Sequence, residues 1–129
     1  MTDVQWLLDT GALLSYAEQT SPVLGRELIA CERRRRTMVV SAACLAEAYR
    51  VASEDAAHLL DVLVNLPAIQ VEPVQADDAR VTGLVAQRVG RIGLAHTCML
   101  SLGSNVPVMT TESEAALRVL EAALVERMN

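Results

Sequence analysis

The chain has 129 residues, of which 52% are hydrophobic, 21% charged and 2% aromatic, the composition of one globular domain rather than a disordered chain. At this size one core buries somewhat under about 70% of the unfolded surface and needs neither disulfides nor a structural metal. Sixteen acidic residues against eleven arginines and no lysine give a formal net charge of −5, which argues against a general phosphate-coating protein but leaves room for a local nucleic-acid site.

In chain order, residues 4–8 read as a first strand that gives way to a turn at Asp9-Thr10-Gly11. Leu13, Leu14 and Ala17 follow at helical spacing, and so do Leu24, Leu28, Ile29 and Cys31. Glu32-Arg33-Arg34-Arg35-Arg36 falls at the C-terminal end of that second helix, where cations complement the helix dipole. It reads either as a solvated helix end or as a basic patch that draws in a nucleic-acid backbone. Met38-Val39-Val40 is a second strand, and Ser41 suits the cap of a helix carrying Leu45, Ala48 and Tyr49. Residues 55–66 set Leu59, Leu60, Leu63 and Leu66 on one helical face, and Ala68-Ile69-Gln70-Val71, between Pro67 and Pro73, is a third strand. Residues 76–89 predict a helix with Ala79, Leu84 and Val85 on one face and with Asp77 and Asp78 in its first turn.

Residues 94–102 predict a further helix closing at Gly103. Val106-Pro107-Val108-Met109 is a fourth strand with Pro107 near its start. Ser113 caps a helix running through Leu120, and residues 122–127 either continue it or form a fifth strand. Short apolar runs separated by helix-period stretches predict an α/β chain, a parallel sheet with helices on both faces.

Cys31, Cys44 and Cys98 are odd in number, far apart and without the paired spacing of a zinc site or disulfide framework. They read as buried free thiols of a reducing cytosol. The N-terminus lacks a basic region leading into an apolar run and a cleavage site, and no apolar run approaches the roughly 20 residues that span a bilayer. A soluble cytoplasmic protein without membrane contact is the expectation. Neither GxSxG nor a phosphate-cradling GxxxxGK[ST] is present.

Ligands of an open parallel sheet gather outside the carboxyl ends of its strands, so acids just past a strand carry the most information. Asp9 follows the first strand and Glu112 the fourth. Glu47 lies almost two turns into the helix that Ser41 opens, in the apolar run Ala42-Ala43-Cys44-Leu45-Ala46-Glu47-Ala48, where an unpaired carboxylate is costly. Taken singly, Asp9 is also a good helix cap and Glu47 a solvated helix face. Taken together, convergent carboxylates need a cation between them, and hard oxygen ligands suit Mg2+ or Mn2+ acting on a phosphodiester. His58 and His96 have no partners that suggest a metal set, and His96 reads as a core or helix-face residue.

Residues 7–14, then 40–47, then Ala95-His96 leading to Pro107-Val108-Met109-Thr110-Thr111-Glu112, resemble a PIN domain over nearly the whole chain. The resemblance implies a three-layer α/β/α fold around a central parallel sheet of four or five short strands, within a single domain over residues 1–129. It also implies a metal-dependent endoribonuclease site of three or four acids and, as in the VapC-like toxins, an antitoxin partner and a homodimer. On this resemblance Asp9, Glu47 and Glu112 are the catalytic acids and ligands of Mg2+ or Mn2+, and Thr10 is the hydroxyl neighbour that orients an acid. The pattern departs at the third acid, where similar sequences carry Asp-Ala-His and this one has Leu94-Ala95-His96.

Leucine cannot bind a cation, and Glu112 is a methylene longer than the usual Asp, so weak or absent activity is expected. The competing expectation is a degenerate PIN domain that serves as a binding or assembly module. RNA recognition would fall to arginines such as Arg50, Arg80, Arg88 and Arg91, which read equally well as salt-bridged surface residues. The apolar surface of the helix from Val23 to Ala30 would suit a dimer or an antitoxin segment.

Overall fold

A computed structural model of the chain describes residues 3–128. Five strands, β1 (Val4–Leu8), β2 (Thr37–Ser41), β3 (Ile69–Glu72), β4 (Val108–Thr110) and β5 (Val125–Arg127), form one sheet in the order β3-β2-β1-β4-β5, and every pairing is parallel. Parallel neighbours need long crossovers, and helices supply them. α1 (Thr10–Ala17) and α2 (Val23–Arg34) join β1 to β2, and α3 (Ala42–Val51) and α4 (Glu54–Val64) join β2 to β3. α5 (Ala79–Val89) and α6 (Ile92–Ser104) carry the chain back to β4, and the short α7 (Ser113–Ala116) precedes β5. The sheet is first built outward from β1 to β3 and then resumes on the other side of β1, so the order reverses between β1 and β4.

Successive strand side chains point to opposite faces, and here both faces are covered. Leu8, Met38, Val40 and Met109 pack with Leu13, Leu24, Leu60 and Leu63 of α1, α2 and α4, while Leu7, Val39 and Val108 pack with Val89, Leu94 and Cys98 of α5 and α6. Burial on both faces explains why these strands read as unbroken apolar runs rather than as alternating ones. All three cysteines are free and buried. Among the described residues no helix is long and apolar enough to cross a membrane.

Several element ends differ from the sequence-based expectation. The helix expected over 76–89 opens as a 3-10 turn, Ala76–Asp78, before α5 begins. α6 runs past Gly103 to Ser104 and is closed by Asn105 at φ 59°, a left-handed position that Asn tolerates through its short polar side chain. The helix expected from Ser113 to Leu120 ends at Ala116 with Glu112, not Ser113, in the cap position. Beyond it Arg118 and Val119 bond back three residues, to Ala115 and Ala116. That tightening turns the chain through a 3-10 turn, Ala122–Leu124, into a fifth strand paired with β4. Ile29 and Leu84, expected on core faces, are 53% and 51% exposed.

α1 starts so close to the segment after β4 that its second residue has no room for a side chain. A Cβ on Gly11 would stand 1.7 Å from Thr111 Oγ1 and 2.9 Å from Thr111 Cβ. Gly11→Ala is expected to lower stability by about 1–3 kcal/mol, the usual cost of overpacking, read as a lower urea midpoint. Adding Thr111→Gly should restore most of the loss, because it removes the atoms in the way.

Candidate active site

The site is built at the carboxyl ends of β1, β2 and β4, beside the reversal of strand order where open α/β sheets bind ligands. Asp9 leaves β1 in an extended conformation and caps α1, its Oδ1 accepting the Ala12 N–H at 2.8 Å. Its other oxygen accepts the hydroxyl of Thr110, the last residue of β4, and Thr110 Oγ1 in turn accepts the Glu112 N–H at 2.8 Å. One carboxylate thus fastens two neighbouring strand ends and the chain that follows each. Asp9 is 1% exposed. Burial pushes its carboxyl up to about 6, the bonds from Thr110 and Ala12 act downward, and the Glu112 carboxylate and Arg91 guanidinium act upward and downward respectively.

Glu47 reaches from α3 to the first turn of α6, where Oε1 accepts the Gly93 N–H at 2.7 Å. The cap position of α6 is Arg91, whose side chain makes no capping bond, so a carboxylate from another helix satisfies that end and complements its dipole. Gly93 permits the approach. A Cβ there would lie 2.4 Å from Glu47 Oε1, 2.9 Å from Cys44 Sγ and 3.1 Å from Cys44 Cα.

Glu112 and Glu47 both face Arg91. The guanidinium is hydrogen-bonded to Glu112 Oε1, and its other terminal nitrogen lies 3.8 Å from Glu47 Oε2. Arg91 leaves the backbone directly after Gly90, whose φ of 95° ends α5 and turns the chain into α6. The three predicted acids therefore belong to one network, connected through Thr110 and Arg91. Among the described residues, no three His, Cys, Asp or Glu side chains stand close enough to hold one metal ion. As arranged, Glu47 and Glu112 fit a guanidinium, not a divalent ion.

Thr10 does not orient an acid here: its hydroxyl donates to the Cys44 carbonyl at 3.4 Å, and the hydroxyl on Asp9 comes from Thr110. Leu94 is 1% exposed and packs in the apolar cluster with Leu7 and Val108. His96 is fully buried with Nδ1 2.7 Å from Ser41 Oγ, and burial pushes its pKa down, so the ring is neutral at pH 7. The sequence assigns no role to Thr110 or Gly93; Arg91 is the salt-bridged surface arginine of one of its two expected readings, but its partners were not foreseen. The turn residue Gly90 immediately before Arg91 was the available signal.

The raised pKa of Asp9 fixes the sign of a pH effect. The native carboxyl holds its proton to about pH 6, whereas the unfolded one releases it near 3.8. The folded chain therefore binds more protons in that window, and stability falls as pH rises through it, by about 3 kcal/mol in all. Asp9→Asn keeps an acceptor for Ala12 and carries no charge. It is expected to unfold at higher urea than the unsubstituted chain at pH 8 and to show little gain at pH 4, while an equal gain at both would rule out the buried charge as the cause.

No protein-family model and no curated protein matches the chain. Solved structures do. A chain of the VapBC2 complex of Rickettsia felis, solved bound to a DNA fragment from its promoter, superposes with a TM-score of 0.68 at 13% identity, over 98% of this chain and 99% of that one. PAE2754 of Pyrobaculum aerophilum superposes with a TM-score of 0.63 at 16% identity, over 95% of this chain and 83% of that one. With its single parallel sheet, its helices on both faces and these likenesses, the chain has a VapC-like PIN fold.

Proposed function

We propose that the chain is a PIN-like endoribonuclease, the toxin of a toxin–antitoxin pair, whose activity is weak. The observation that carries this reading is the network of Asp9, Glu47 and Glu112 at the reversal point of a VapC-like PIN fold, three acids from distant parts of the chain. Mg2+ or Mn2+, which favour carboxylate and water oxygens, is the cofactor the reading calls for, with these three acids as its ligands once Arg91 has left Glu47 and Glu112 and the acids have drawn closer than they stand here. The low activity has two supports. Leu94 offers no oxygen, and Arg91 already neutralises two of the acids.

The partners are an RNA substrate, an antitoxin and a second copy of the chain. The likeness to a VapBC complex supports the antitoxin, whose proposed seat is the outward face of α2, where Ile29 is half exposed. A soluble cytoplasmic protein in one domain is part of the same proposal. Beside the site an open recess is lined by Glu112 and Glu114 as well as by Arg118 and Arg127, so its two arginines, the groups that could meet an RNA phosphate, stand among acids.

A second reading, a degenerate PIN domain kept as a binding or assembly module, is favoured by the burial of Leu94 in apolar packing. Cleavage of a mixed RNA pool with Mn2+ or Mg2+ separates the two. The nuclease reading expects slow cleavage by the unsubstituted chain that disappears in Asp9→Asn and rises at least about tenfold in Leu94→Asp, roughly 1.4 kcal/mol of barrier. Because an Asp buried at position 94 is costly, circular dichroism should accompany each assay. Silence from the folded unsubstituted chain and from folded Leu94→Asp would favour the module.

A further inference from the structure

Arg91 is the cation of both ion pairs found among the described residues, and both of its partners are acids of the candidate site. Its position is set by the backbone: the left-handed turn at Gly90 ends α5, Arg91 follows in an extended conformation, and α6 begins one residue later. Its guanidinium holds one oxygen of Glu112 and approaches the Glu47 oxygen that does not cap α6. Glu47 Oε2 is the oxygen that Glu47 has left to offer a divalent ion, and the guanidinium stands against it and against one of the two oxygens of Glu112. We propose that Arg91 is a tethered counter-ion that competes with divalent cations for Glu47 and Glu112, so that the chain in this arrangement keeps its carboxylates paired without metal. The inference rests on the proposed reading of the site as a place where Asp9, Glu47 and Glu112 can meet one ion.

The competition is reversible by construction. The Arg91 side chain is 42% exposed and those of Glu47 and Glu112 are 26% and 30% exposed, so water can replace each bond as it breaks, and partly exposed pairs hold only loosely. Arg91 therefore does not seal the site. It divides the population between a paired state that excludes the ion and an open state that admits it, and the apparent affinity for the ion falls by the fraction of open chains. Asp9 is held by Thr110 and Ala12 and has no bond to Arg91, so the competition concerns Glu47 and Glu112, which must close on the ion once the Arg91 side chain swings outward.

The test is Mn2+ binding, followed by the loss of the free-ion paramagnetic resonance signal and by the melting temperature with and without Mn2+, on the unsubstituted chain, Arg91→Gln and Arg91→Gln/Glu112→Gln. Removing the guanidinium is expected to tighten Mn2+ binding at least about tenfold and to create a Mn2+-dependent rise in melting temperature. The added Glu112→Gln should cancel both. Arg91→Lys, which keeps a charge on a flexible stem, should stay close to the unsubstituted chain. Equal Mn2+ affinity for the unsubstituted chain and Arg91→Gln would overturn the competition while leaving the metal-site reading standing. No Mn2+ binding by either, with Arg91→Gln folded by circular dichroism, would overturn both.

Discussion

A carboxylate almost wholly removed from water sits where β1 hands the chain to α1, and the rest of the site is arranged around it. Burial of a charge is costly unless hydrogen bonds compensate it, and Asp9 receives one from each side: the Ala12 N–H of its own helix and the Thr110 hydroxyl from the end of β4. The second bond joins strands that neighbour each other only because the sheet order reverses. Thr110 then fixes the Glu112 N–H, which sets where α7 begins. Gly11 completes the arrangement, since α1 can begin this near to Thr111 only without a side chain at that position.

A second arrangement, around α6, meets the first through Arg91. The N-terminal end of α6 is capped by Glu47 from α3, and Gly93 provides the space for it. Between the two stands one guanidinium in contact with Glu47 and Glu112. The negative charge that Asp9, Glu47 and Glu112 bring to the carboxyl edge of the sheet is thus met inside the chain, by two helix ends, a threonine hydroxyl and an arginine.

Much of this was legible in the sequence, for physical reasons. The strands show as short apolar runs because both sheet faces are covered, and Asp9 and Glu112 show because an acid immediately after such a run has few other reasons to be there. Glu47 was marked by its apolar neighbours. What stayed hidden depends on contacts between distant segments. Thr110 reads as an ordinary strand threonine until β4 lies beside β1, and Arg91 reads as a surface arginine until the Gly90 turn aims it at acids on α3 and after β4. Thr10, beside Asp9 in sequence, turned out to serve the Cys44 carbonyl. The end of α6 at Asn105 and the cap of α7 at Glu112 were misplaced because Gly103 and Ser113 are stronger local signals than the residues that tertiary packing selected.

The trans cap that Glu47 provides bears on how this chain would change over time. Glu47 satisfies the start of α6, so selection for folding alone would retain it in a lineage that had stopped cleaving anything, whereas the buried charge of Asp9 weakens the fold at neutral pH and an Asn would keep its bond to Ala12. The presence of Glu47 is therefore no record of a surviving activity. Glu112 differs, because its side chain bonds to Arg91 at the protein surface and supports no buried element. Across descendants of this fold, the fate of the pair at positions 91 and 112 would be the more truthful witness to whether the chemistry was kept.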